Sequence, residues 1–530
     1  MLAGNESEFC CALCDVTMRV EHPRTIVIGL DSLDYRLVER WSLAGELPCL
    51  RQLFETCPTV KLSTPSRVLQ GTVWPSVLTG VGPGRHGLYL QTQLRNGTYS
   101  LTDRFADHVR LKRFYQYMGD AGLRCGLADI PCDSPVTEMR GLQVVEWATE
   151  FRFWRYQTVP RSFARYIRLH IGENPMTTHR NSGDSQESHA ELCASLETSI
   201  RMKAKLGRHL IGRKDLHLVF CVFGEAHKAG HWLWKYFDET HPDHESSPAV
   251  LKSGVLSSYK QIDRALAEML ELVTVDDNLI VFSDHGMQPA YRGEHLIDLI
   301  LEKLGLLEYG ERPAPQTAAG SAPRLSTRAR QRFINAKLAV KRRLPQAILS
   351  GLNRNKNSFP ELNWRKTRAF SLPTDRNSHI RINLRGREPL GIVDPGSDYE
   401  SLLDQLEAAL KALINPRTGR AAVEEVFRVR SLFPGERAED LPDVAVLWSA
   451  EAPIDEVSSS QLGVIRHPIR ELRSGNHREE GFLLARGPNF KESRGAYRGH
   501  ILQIAPTLLH LHGLAIPDEY EMRPFDDILR

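Results

Sequence analysis

The sequence predicts an α/β fold: a doubly wound, mostly parallel sheet with helices on both faces and an inserted α+β cap lobe. Three observations lead there. The runs Thr25–Leu30 (TIVIGL), Leu216–Phe223 (LHLVFCVF) and Asn278–Phe282 (NLIVF) are rich in β-branched and aromatic residues, as expected of parallel strands buried on both faces. Helix-length segments alternate with such runs from about residue 24 to 300, the pattern of a doubly wound sheet. Each of the three runs also stops at residues able to bind metals: Asp31; then Glu225, His227 and His231; then Ser283-Asp284-His285-Gly286. Ligands of open α/β sheets bind at the carboxyl ends of the strands. Strands running the same way therefore bring Asp31, His227, His231, Asp284 and His285 to one edge.

Taken in order, residues 1–22 read as an N-terminal tail and 23–305 as the first part of the catalytic α/β core. Within it a helical stretch follows Asp31, and then come Leu62–Ser66 and the Gly/Pro-rich element Gly71–Gly87. Arg124–Ile130 reads as a further strand. A polar loop over Asn174–Glu187 leads to a helix ending near Arg213, and residues 254–273 form the helix before the third ligand-bearing strand. Residues 306–361 are a variable insertion, strongly basic over Arg324–Arg343, and read as a solvated surface segment or a patch for an anionic partner. Residues 362–469 mix strands with a helix at 398–413 and form the α+β cap lobe; 470–530 return to the core.

Bulk composition excludes several classes. The 530 residues exceed what one core usually holds, so a large domain with insertions, or two domains, is expected. With 68 basic against 65 acidic residues the formal charge is +3, too balanced to imply a nucleic-acid polymer as partner. No stretch reaches the ~18 apolar residues of a transmembrane helix. The first twenty residues hold Glu6, Glu8 and Asp15 and lack the basic start and apolar core of a secretory signal. Nine cysteines without regular spacing suggest reduced thiols and a cytoplasmic protein. Cys11 and Cys14 form a lone C-x-x-C in the tail, with no second pair to complete a zinc site.

Carboxylate and imidazole together suit a divalent ion such as zinc. Asp31, directly after a buried strand, is held rigidly, as a ligand must be. Asp284 and His285 at a strand-to-loop transition can turn toward one ion, with Gly286 permitting a tight turn. His227 and His231 lie four apart, on one face if the segment is helical, a chelating spacing. For a nucleophile the candidate is Thr72. Gly71–Gly80 reads as a short helix; with Thr72 as its N-cap, Pro75 falls at the third helical position, where its missing N–H has no intrahelical partner. Starting the helix at Gln70 would push Pro75 inside, at ~3 kcal/mol. Thr72 would then sit at the positive end of the helix, where a nearby metal could make its hydroxyl an alkoxide nucleophile.

Asp31 after its strand, Thr72…Thr79-Gly80…Pro83-Gly84-Arg85-His86-Gly87, the Glu225–His231 cluster, Ser283-Asp284-His285-Gly286 and Gly475-Asn476-His477-Arg478 together resemble the alkaline phosphatase superfamily. The nearest likeness is to its type I phosphodiesterase/nucleotide pyrophosphatase branch, including bacterial predicted phosphohydrolases or phosphomutases. The likeness spans about 24–300 and 362–528, and the number and order of its pieces make it specific. It implies an alkaline-phosphatase-like fold and two divalent ions, usually zinc, with manganese or magnesium as alternatives. Asp31, Thr72, Asp284 and His285 would hold one ion, and His227, His231 and His477 the other. The implied activity is hydrolysis of small phosphate mono- or diesters through a phosphoenzyme. Transfer of the phosphoryl group to an alcohol, or a catalytically silent binding protein, would use the same residues. Two departures stand out. The superfamily has Asp where His227 stands, and Glu225 is the alternative source of that carboxylate. Its nucleophile lies nine residues before the Thr of the Thr-Gly pair, which here is Gln70, whereas Thr72 lies seven before. Arg478 and Trp232 are candidate substrate contacts, the tryptophan equally a core residue. Ser63-Thr64-Pro65-Ser66-Arg67 matches the sulfatase S-x-P-S-R signature, but Thr79 follows sixteen residues later instead of nine.

Overall fold

The computed structural model describes residues 22–530 apart from 104–110, 149–155, 178–184, 292, 311–358, 360–361, 375, 469–472 and 493–494. The predicted tail, with Cys11 and Cys14, and most of the predicted basic insertion lie outside the described residues.

Nine strands build the central sheet: β1 (Thr25–Leu30), β2 (Thr59–Ser63), β3 (Cys125–Ala128), β4 (Gly141–Val145), β5 (Gln157–Val159), β6 (Leu218–Phe223), β7 (Asn278–Ser283), and, after a short β8 (Gly286–Pro289) outside the sheet, two late strands. Between β8 and those late strands the chain forms a second sheet from β9 (Ala369–Leu372), β10 (Ser378–Ile382), β11 (Val423–Arg428) and β12 (Val444–Trp448). It then returns through β13 (Gly475–Arg478), which pairs with β8, to β14 (Gly481–Arg486) and β15 (Ala496–His500). The central order is β15-β2-β14-β7-β1-β6-β3-β4-β5. β1 pairs in parallel with both β6 and β7, as do β3 with β6 and with β4, while β14 runs antiparallel between β2 and β7. The mostly parallel doubly wound sheet expected from the sequence is what forms.

Seven helices matter here: α1 (Tyr35–Leu43), α2 (Val73–Thr79), α3 (Gln186–Gly212), α4 (Glu225–Phe237), α5 (Gly254–Leu270), α6 (Ser397–Lys411) and α7 (Ile504–Leu511). Because side chains alternate across a strand, β1 feeds two cores at once. Ile26, Ile28 and Leu30 pack with α1, α3, α4 and α5, whereas Val27 packs with α2 and α7. This is why its sequence is continuously apolar. The four-stranded antiparallel sheet and α6 enclose a third core of their own.

The registers position the site. Leu30 lies beside Phe223 and Gly29 beside Phe282, so β1, β6 and β7 end level with one another. The backbone N–H of Asp31 donates to the Phe223 carbonyl (2.9 Å), the last rung of that ladder.

Candidate metal centre

Two groups of buried ligand side chains sit at these strand ends. In one, Asp31, Asp284 and His285 offer atoms all within 4.8 Å of one another; in the other, His227, His231 and His477 do the same. The groups adjoin: the His285 and His477 rings are 4.6 Å apart, centre to centre. Residues up to 446 positions apart thus meet as the sequence reading requires.

Local structure explains each placement. His227 and His231 are one turn apart on α4, so both face β13, where His477 sits opposite Met287. Ser32 follows Asp31 in a left-handed conformation (φ 59°), which turns its N–H onto Asp284 Oδ1 (3.0 Å). Its hydroxyl lies 3.1 Å from both Asp31 Oδ1 and His285 Nδ1. Gly286 serves differently from expectation. Its φ is not left-handed, but a Cβ there would come 2.2 Å from Asp34 Oδ2. The bare backbone lets the Asp34 carboxylate reach in and accept the N–H groups of Met287 and Leu37, holding the Asp284-His285 turn against the start of α1.

The histidine group is arranged as the ligands of a cation would be. His231 Nδ1–H donates to the Gly475 carbonyl (2.8 Å), and His227 Nδ1–H donates to Asp31 Oδ2 (3.1 Å). Both rings therefore turn their Nε2 atoms inward. The Nε2 atoms of His227 and His231 are 2.8 Å apart, and His477 Nε2 is 2.8 and 3.1 Å from them. Three imidazole nitrogens converging this closely on one point are placed as a single ion bound to all three would need them. The Asp31–His227 contact is also the carboxylate–histidine arrangement that orients metal ligands and raises their basicity.

The carboxylates point the same way. Burial and the negative charge of Asp31 hold Asp284 well above the usual carboxylate range, and Asp284 Oδ2 is buried without a hydrogen-bond partner. Burial pushes Asp31 up, but the charges of His227 and His285 and the hydrogen bond from His227 leave it below its ordinary value. Burial lowers His231 and His477 well below an ordinary imidazole and His285 to about 4, so all three remain available as neutral ligands.

The other predicted residues fall in mixed places. Glu225 is not part of the histidine group. It is buried beside Lys203 (3.4 Å) and accepts the Ser199 hydroxyl (2.5 Å), so it does not replace the missing carboxylate. Two residues along a helix turn the side chain by roughly 200°, which sends Glu225 away from the face carrying His227. Asp31, through its hydrogen bond to His227, brings the negative charge to that site instead. α2 does begin at Val73, with Thr72 at the N-cap position and Pro75 third, but a 3₁₀ turn over Gln70–Thr72 precedes it. The Thr72 hydroxyl makes no capping bond. It is fully buried and donates back to the Leu69 carbonyl (2.5 Å). Gln70 is buried with neither side-chain polar atom hydrogen-bonded. Trp232 packs against the core beside His189, and Ser63 donates to the Gly499 carbonyl. Arg478, opposite Gly286 on β13, is half-buried and makes no ion pair with a described residue. Arg376, on the loop between β9 and β10, was missed by sequence reasoning.

A mostly parallel sheet with two adjoining groups of possible ligands at its strand ends is the arrangement expected of a metal-dependent hydrolase in the alkaline phosphatase superfamily. Within that class the chain belongs to the type I phosphodiesterase/nucleotide pyrophosphatase family, whose sequence model matches residues 25–447. The resemblance drawn from its motifs is thereby borne out. No curated protein matches. Among solved structures, phosphonoacetate hydrolase from Sinorhizobium meliloti 1021 in complex with phosphonoformate is 14% identical, over 93% of this chain and 96% of that one, with a TM-score of 0.50. An inactive form of murine ectonucleotide pyrophosphatase/phosphodiesterase 5 in complex with AMP is 12% identical, over 96% and 100%, with a TM-score of 0.49. Among the described residues no helix is long and apolar enough to cross a membrane.

Proposed function

We propose that this protein hydrolyses small phosphate mono- or diesters with two divalent ions, zinc the first choice. His227, His231 and His477 would hold one, and Asp31, Asp284 and His285 the other. The supporting observation is the convergence of three imidazole Nε2 atoms, two of them on rings anchored through Nδ1 to Asp31 and to the Gly475 carbonyl. When bound, such ions neutralise developing charge on the phosphoryl group and activate the attacking oxygen. The chain's own residues then orient the ligands, through Ser32, Gly475 and Asp31, and supply a half-buried cation, Arg478, for a phosphoryl oxygen.

Thr72 is the proposed nucleophile, supported by its place at the start of α2. Its hydroxyl must first leave the Leu69 carbonyl. That commitment favours a second reading, in which water attacks phosphorus directly and no phosphoenzyme forms. Turnover of p-nitrophenyl phosphate and bis-p-nitrophenyl phosphate, with zinc or manganese, with chelator and in Thr72→Ala, separates the two. Chelator-sensitive activity that falls ~10³-fold or more in Thr72→Ala marks a covalent route. Unchanged turnover in the variant marks direct attack. Absence of turnover with any metal would refute the hydrolase proposal for these esters.

A further inference from the structure

Beside the metal centre lies a small cavity lined by Gln288, Tyr291, Glu294, Arg376, Trp448 and Asn476, together with neighbouring backbone. Gln288 and Asn476 face one another across the β8–β13 pair, each next in line beyond the ligand-bearing residues. At about 3.4 Å per strand residue, Gln288 stands roughly 10 Å along the chain from His285. The cavity therefore adjoins the strand ends that carry the ligand residues, and the Arg376 charge is near enough to act on His285.

Arg376 is the notable wall of this cavity. It is half-buried and makes no ion pair or hydrogen bond with a described residue. Burial lowers its pKa to about 10; Glu479 and Glu424 act against this, and the positive charges of Arg478 and Arg67 act with it. A half-buried guanidinium with no hydrogen bond or ion pair to a described residue keeps its planar donors open to an anion that a ligand supplies. Its position is also fixed. The next residue, Asn377, is fully buried and donates to the carbonyls of Arg67 (2.7 Å) and Val68 (3.0 Å), tying the cap-lobe loop to the core segment that leads into Gln70 and Thr72. Trp448 is held too, its Nε1–H donating to Ser378 Oγ (2.9 Å). The acid in the wall, Glu294, accepts the Gly293 N–H.

We infer that Arg376 is a specificity residue that binds a second negative charge, a carboxylate or phosphate, on the leaving-group side of the substrate phosphoester. This rests on the two-metal reading above for the position of the scissile phosphate. The preferred substrates are then esters anionic at both ends, and Arg376 discriminates them from esters with a neutral leaving group.

The test measures binding, so it does not require turnover. Zinc-loaded wild type, Arg376→Gln and Arg376→Lys are titrated calorimetrically with two unreactive phosphonates, benzylphosphonate and 3-carboxybenzylphosphonate. Wild type is expected to bind the carboxylated compound about 10-fold tighter or more, the range of a hydrogen bond to a charged group. Arg376→Gln should erase that preference while leaving benzylphosphonate affinity within about 3-fold, and Arg376→Lys should keep part of it. No preference in the wild type overturns the inference, whether or not the variants fold. So does a preference that survives in Arg376→Gln, or an equal loss for both ligands, which would put Arg376 on the shared phosphonate. Failure of the phosphoesterase assay alongside a clear Arg376-dependent preference would refute the catalytic proposal and leave this one standing.

Discussion

Replacing Lys203 with Met tests the assignment of Glu225 to the core. Lys203 Nζ lies 2.9 Å from Asp129 Oδ2 and 3.4 Å from Glu225 Oε1, and also donates to the Val222 carbonyl (2.9 Å). The three side chains are 5%, 1% and 2% exposed. Asp129 has further donors in the N–H groups of Trp147 and Ala148, but Glu225 Oε2 has no partner. Losing the ammonium leaves two carboxylates in one dry site, and breaking a buried pair in this way costs about 3–5 kcal/mol. At roughly 2 °C per kcal/mol for a chain of this size, the melting temperature should fall by about 6–10 °C.

The penalty has a definite pH dependence. Burial already raises Glu225 above its ordinary pKa, with Lys203 opposing the shift, so removing Lys203 raises it further. A carboxyl with a folded pKa above its unfolded value binds more protons when folded, so its contribution to stability falls as pH rises through that window. The variant's deficit should therefore be larger at pH 8 than at pH 5.5. Thermal melts at both values, followed by circular dichroism, measure it. A deficit below about 1 kcal/mol, or one independent of pH, would refute the reasoning.

Two further outcomes follow from the same geometry. Glu225→Gln should lose about 1–3 kcal/mol of stability yet keep the full metal complement, because Glu225 stands outside both ligand groups; loss of an ion on dialysis would contradict that placement. Gly286→Ala forces a methyl group against the Asp34 carboxylate, so it should destabilise the protein by about 1–3 kcal/mol; phosphoesterase activity should fall as the Asp284-His285 turn shifts, and a fully active, equally stable variant would show that Asp34 does not hold that turn.

What was legible in the sequence was legible for physical reasons. β1, β6 and β7 announce themselves because strands buried on both faces need unbroken apolar runs, and Asp31, Asp284 and His285 stand out because they follow those runs directly. His227 and His231 are readable as a pair because one helical turn brings them together. His477 has no such local signature; only its resemblance to a known motif marked it. Glu225 misled because proximity in sequence is not proximity on a helix. The 3₁₀ turn before α2 was missed because short turns of that type have weak sequence signals. Arg376 could not be found at all: its meaning comes from Asn377 docking on Arg67 and Val68, more than 300 positions away.

The central claim is that two neighbouring triads each hold a divalent ion. The most direct measurement is metal content per chain, by elemental mass spectrometry, after chelator-stripped protein is re-equilibrated with zinc and freed of excess. The account predicts two ions for the wild type and one for the double variant His231→Ala/His477→Ala. A wild type that takes up none, or a double variant that still takes up two, would contradict it.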